Sequence, residues 1–122
     1  MTSSYENFKS LDEEKIKELR KLGLEIDEDI LTQIKDVYFL TMGQDLLEIQ
    51  KYFSAQDMPG VAKISHRIKS SSGNIGLTKQ QKIAIDLEAK AQTPDIGKGE
   101  IQQLITLLLN EYKVTETLIK NL

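Results

Sequence analysis

From about residue 10 onward, apolar residues recur every three or four positions, and no stretch alternates with a period of two. That spacing is the surface repeat of an amphipathic helix and leaves no segment suited to a sheet. Both prolines, Pro59 and Pro94, fall at the edges of the periodic stretches, where a missing backbone N–H costs little. The chain therefore reads as all-α.

Five helices follow from the pattern. The segment LDEEKIKELRKLG carries leucine or isoleucine at 11, 16, 19 and 22, with acids early, bases late and Gly23 as its expected stop. A long helix is predicted from near Asp27 to near Ser54, its apolar positions being Ile30, Ile34, Val37, Leu40 and Leu47 with the aromatics Tyr38, Tyr52 and Phe53. Gly43 lies inside it at a cost of roughly 1 kcal/mol against alanine. Asp57 is a good N-cap for the next helix, with Pro59 in its first turn and Val61, Ile64, Ile68 and Ile75 on one stripe. A further helix spans Lys79 to about Ala91 with Ile83, Leu87 and Ala91 on one face, and TPDIGKG is turn chemistry. The last helix starts near Glu100 and carries Ile101, Leu104, Ile105, Leu108, Tyr112, Leu118 and Ile119. Four amphipathic helices on short loops pack most simply as an up-down-up-down antiparallel four-helix bundle, capped at one end by the short leading helix. The expected organisation is a flexible segment over residues 1–10 and one domain over 11–122.

At 122 residues the chain has the size of one domain with one core. Its net charge of −3 argues against a general nucleic-acid binder, which carries a basic excess. The absence of cysteine excludes disulfides, thiolate metal sites and cysteine nucleophiles, and one histidine excludes a multi-histidine zinc site within the chain. No apolar run is long enough for a membrane span, and MTSSYENFKS lacks the apolar core of a signal peptide. A cytoplasmic, free-standing protein without a metal of its own is the simplest expectation.

The one histidine stands in SHRIKSSSGNIG. If its helix continues through the serines, both Ile64 and Ile68 lie about 160° around the axis from His66, which then faces solvent. Ala62, Lys63, Lys69, Ser70 and Gly73 share its face, and Ala62, Ser70 and Gly73 are small. An imidazole with small neighbours can be approached closely, and it is a competent nucleophile near neutral pH. Lys69 can bring a point charge to a phosphoryl oxygen, with Lys63 and Arg67 adding positive charge. The bland alternative is a solvated histidine at a frayed helix end, since Ser-Ser-Ser-Gly alone more often ends a helix than builds a docking face.

The run His66-x-x-Lys69-Ser70-Ser71-Ser72-Gly73-Asn74-Ile75-Gly76 resembles the signature of the histidine-containing phosphotransfer (HPt) domain family, roughly H-x-[LI]-K-G-[SA]-[SA]-x-x-[LIV]-G. The order of helices around it is similar too, over about residues 10–122. The resemblance implies that His66 accepts a phosphoryl group on Nε2 from the aspartyl phosphate of a response-regulator receiver domain, which belongs in some systems to a hybrid histidine kinase. His66 would pass the group to an aspartate of a second receiver. It further implies that Lys69 neutralises the phosphoryl, that no ATP is hydrolysed, and that the magnesium ion comes from the partner receiver. The family often has a glutamine or glutamate on the following helix bonded to the other ring nitrogen; twenty-two residues on, that position here is Glu88. Ser70 departs from the family's usual glycine and remains small. Partner selection is expected of Ala62, Lys63, Arg67, Ser70, Gly73, Asn74 and Lys82. The resemblance implies a monomer, although the aromatics of the long helix offer a dimer face.

Two other classes compete. A sensor-kinase dimerisation domain places an acid after its histidine, with a proline further on; here Arg67 follows, and no proline lies between His66 and Thr93. A non-catalytic helical-bundle adaptor would show the same composition and periodicity, and only the histidine, lysine and small-residue face argue against it. A nucleotide-binding phosphate loop is set aside, because G-x-x-x-x-G-K-[ST] is absent.

Overall fold

The computed structural model describes residues 5–122. Five helices follow in order: α1 Glu13–Ile26, α2 Ile30–Ser54, α3 Met58–Asn74, α4 Thr78–Ala91 and α5 Lys98–Lys120. No strand occurs among the described residues. The first three begin at an aspartate that supplies the oxygen the free first-turn amides need. Asp12 accepts from the Glu14 and Lys15 amides, Asp29 from Thr32 (3.1 Å) and Asp57 from Gly60 (3.0 Å). Helices α4 and α5 start from Leu77 and Gly97 without a side-chain cap.

Helix α2 packs on α3, α3 on α4 and α4 on α5, while α5 returns to α2; α1 lies against α2. The result is a helical bundle. Its interior holds Met42 and Ile49 from α2, Ile64 and Ile68 from α3, Ile83 and Leu87 from α4, and Ile101, Ile105, Leu108 and Ile119 from α5. Each such side chain contributes about 1.5–3 kcal/mol of burial. The stripes expected on α3, α4 and α5 are thus the ones that face inward.

Three expectations need correction. Helix α1 does not stop at Gly23 but continues to Ile26, and the left-handed residue that ends it is Asp27, at φ 56°. Gly23 serves a close approach instead: the Glu28 carbonyl lies where a Cβ would stand, and the Glu28 amide donates back to the Gly23 carbonyl at 2.9 Å. On α2 the inward face is Leu31, Tyr38, Met42, Asp45, Leu46 and Ile49, whereas Val37, Leu40 and Leu47 point outward. A 25-residue helix with apolar residues on two sides satisfies the three-and-four spacing twice over. Finally, residues 5–10 are not a loose lead-in. Tyr5 is buried, its hydroxyl donates to Asp86, and the Lys9 carbonyl accepts from the Lys79 amide at 3.0 Å. The flexibility expected of residues 1–4 lies outside the described residues.

One polar cluster crosses the core. Gln80 of α4, fully buried, donates from Nε2 to the Tyr38 hydroxyl (2.8 Å) and to Ser72 Oγ (2.9 Å). Tyr38 meets Thr115 Oγ1 at 3.4 Å, and Thr115 donates to Gln80 Oε1 at 2.8 Å. Residues from α2, α4 and α5 thereby close a ring of hydrogen bonds, and Ser72 of α3 is attached to it through Gln80. Such a cluster is satisfied in one axial register of the four helices and broken in others.

Candidate phosphotransfer site on α3 and α4

Helix α3 runs through the serines to Asn74, and three of its four serine hydroxyls are hydrogen-bonded. Ser65 donates to the Val61 carbonyl (2.8 Å) and Ser70 to the His66 carbonyl (3.3 Å), while Ser72 is attached to the buried ring. The turn that follows uses Gly76 at φ 75°, which packs against Lys15 and accepts from the Asp12 amide at 2.7 Å. That turn delivers α4 alongside α3.

With Ile64 and Ile68 in the core, His66 projects outward, its side chain 58% exposed. On α4 the buried Leu87 sets the orientation of its neighbour Glu88, which lies at the edge of the α3–α4 groove. Glu88 Oε2 stands 3.1 Å from His66 Nδ1, and Glu88 Oε1 is 3.4 Å from Lys69 Nζ. One carboxylate thus engages the imidazole and the ammonium together. A carboxylate can only accept, so Nδ1 carries the hydrogen and Nε2 keeps its lone pair.

Beside the imidazole is a shallow depression lined by Lys63, His66, Glu88 and Gln92, with the buried Ala62 and Ala91 in its floor. Lys63 is exposed beside it. Ser70 is exposed one turn along. Arg67 is turned away: its guanidinium bonds to the buried Asp45 carboxylate and reaches Glu48 at 3.3 Å, both on α2. Burial pushes the Asp45 carboxyl above the ordinary aspartate range against the pull of Arg67, and Asp45 in turn holds the guanidinium more firmly protonated.

The remaining candidates divide. Gly73 is not bare surface, because the Gln81 side-chain amide occupies the space a Cβ would take. Asn74 is exposed at the end of α3, on the groove it shares with Lys15 of α1 and Val37 of α2. Lys82 pairs with Asp86 at 3.1 Å, the residue that also accepts from Tyr5. Six residues before Glu88, it lies about 120° around α4 from the imidazole's partner and is not gathered with His66. Ser72 likewise belongs to the interior and not to a landing face. Sequence reasoning missed Gln80 and Gln92; Gln80 had a signal, since it precedes Ile83, Leu87 and Ala91 on their own stripe.

Among the described residues no group of three or more His, Asp or Glu is placed to hold a metal ion, and no helix is long and apolar enough to cross a membrane. None of the curated proteins or solved structures compared with the chain matches it significantly. The family model of the Hpt domain matches residues 33–113, a span that begins within α2, ends within α5 and contains both His66 and Glu88. Two-thirds of the chain is covered by that match, and so it belongs to the Hpt domain family, helical modules of phosphotransfer in two-component signalling that interact with response-regulator receivers.

Proposed function

We propose that the chain relays a phosphoryl group between receiver-domain aspartates through phosphohistidine at His66. The observation that carries this reading is the 3.1 Å contact of Glu88 with Nδ1, on a ring whose other side is open to solvent. In the forward step the Nε2 lone pair attacks the phosphorus of a receiver's aspartyl phosphate. The N–P bond forms as the P–O bond to the aspartate breaks, and the aspartate leaves as a carboxylate. The hydrogen on Nδ1 stays there, and the positive charge that develops on the ring is stabilised by Glu88. A second receiver reverses the sequence: its carboxylate oxygen attacks phosphorus and the imidazole leaves neutral.

Lys69 is held by Glu88 before reaction and sits three residues along α3 from His66, from where it would neutralise the oxygens of a phosphoryl group on Nε2. The magnesium ion and the acidic pocket belong to the receiver. Lys63, Ala62 and Ser70 flank the imidazole and are the residues a receiver would touch, with Arg67 and Asn74 further out. The reading takes α2–α5 as an up-down-up-down bundle, consistent with loops confined to residues 55–57, 75–77 and 92–97. It also takes the protein to work in the cytoplasm, where receivers act.

The test is transfer of label from phosphorylated receivers to the purified chain. Wild type should gain an acid-labile, alkali-stable phosphate, and His66→Gln none. Equal labelling of His66→Gln would overturn the assignment and leave an adaptor role.

A further inference from the structure

The outward stripe of α2 has no use within the chain. Val37, Leu40 and Leu47 are 61%, 76% and 65% exposed. Together with Gln44 and Lys51 they follow one another at steps of three and four residues, the spacing of a helix seam that packs on a second helix. In their midst stands Gly43, the weakest helix former but proline, at the centre of a 25-residue helix. A Cβ at Gly43 would meet nothing within 4 Å, so no contact inside the chain calls for glycine there. Its smallness has a use only if a backbone from outside comes close.

The charge order says which backbone. Asp36 lies seven residues before Gly43 and Lys51 eight after it; both are exposed, and neither forms an ion pair among the described residues. A second α2 crossing antiparallel at Gly43 would bring Leu40 of each copy to Leu47 of the other. It would also set each acidic end beside the other copy's basic end, twice by symmetry. A parallel crossing would oppose Asp36 to itself. We propose that this stripe is an isologous contact between two copies of the chain, antiparallel about Gly43, in place of the monomer expected from the family.

The patch is one helix wide, so the contact is a weak, reversible equilibrium. The site of His66 lies between α3 and α4, which leaves a dimer free to engage receivers. The proposal is independent of the phosphotransfer reading, because its measurement is mass and not transfer.

Sedimentation equilibrium of the full chain over a concentration series tests it, with circular dichroism of each variant to verify the fold. Wild type should pass from one to two chains, and Leu40→Glu, a change at an exposed position, should stay at one. Asp36→Lys and Lys51→Glu should each weaken association several-fold, and the two combined should restore it. A wild type that remains a single chain at about 1 mM overturns the proposal. So does a charge-reversed pair that fails to recover, or a Leu40→Glu variant that still dimerises. A single-chain wild type whose Leu40→Glu variant loses phosphotransfer would overturn it in favour of a receiver contact.

Discussion

Glu88 does two things with one carboxylate, and substitutions can separate them. It fixes the imidazole through Nδ1 at 3.1 Å and restrains Lys69 at 3.4 Å. Glu88→Gln keeps an acceptor for the Nδ1 hydrogen and should retain most of the transfer rate. Glu88→Ala removes it, and a loss of about tenfold is expected, the rate equivalent of roughly 1.4 kcal/mol for one hydrogen bond to a charged group. Single-turnover transfer kinetics measure the rates, and imidazole nitrogen shifts should show Nδ1–H retained in Glu88→Gln and mixed tautomers in Glu88→Ala. Equal rates in all three proteins would remove Glu88 from the mechanism. The buried ring makes a second residue-scale case. Gln80→Leu would take one partner from the Tyr38 and Thr115 hydroxyls and strand the Ser72 hydroxyl in the core, and a loss of about 2 kcal/mol in urea unfolding is expected. Burial already pushes the Tyr38 hydroxyl up to about 12, so it remains a neutral donor throughout such an experiment.

At the scale of elements, carboxylates at two places on α2 should give opposite pH dependences. Asp29 caps the helix, and its bonds from the Thr32 amide and hydroxyl hold it below the ordinary aspartate range. The unfolded chain binds that proton more readily, so the cap's contribution is present at neutral pH and is lost as pH falls through the folded value. Asp45 runs the other way. Desolvation raises it, the folded state binds the proton more tightly, and its contribution is full below the ordinary range and declines as pH rises through the folded value. Asp45→Asn should therefore flatten the decline in stability on the alkaline side of that range, and Asp29→Asn should flatten the loss on the acid side; urea titrations across pH 3–7 would show both slopes unchanged if the carboxylates play no part. These same elements show how far the sequence could be read. The aspartate cap at 57 and the inward stripes of α3, α4 and α5 were legible, because a cap and a single apolar face are local patterns, whereas α2 was expected to start near Asp27 and is capped by Asp29. The face of α2 was not legible, since Val37, Leu40 and Leu47 obey the same period as Tyr38, Met42 and Ile49. Only the position of α3 and α5 decides which set turns inward. At the site, His66, Lys69 and Glu88 could be named from a resembled motif, but the inward pull of Asp45 on Arg67 is tertiary and left no periodic trace.

For the whole molecule, the segment before α1 is part of what holds the bundle to the site. Tyr5 is 7% exposed and eighty-one residues from its partner Asp86, and the Lys9 carbonyl binds the Lys79 amide in the uncapped first turn of α4. Leu77 offers that turn no side-chain oxygen, so the incoming chain supplies from outside what aspartates supply to α1, α2 and α3. Helix α4 also carries Gln80 and Glu88, which makes its anchoring matter twice. Tyr5→Ala removes the aromatic packing and frees Asp86, and should cost about 2 kcal/mol of global stability. Tyr5→Phe keeps the packing and should cost about 1 kcal/mol through the lost hydroxyl bond. Amide exchange distinguishes the two levels: faster exchange is expected first at the N-terminal turn of α4 and only afterwards in α2. Unchanged protection there in Tyr5→Ala would mean that α4 is held by its packing on α3 and α5 alone.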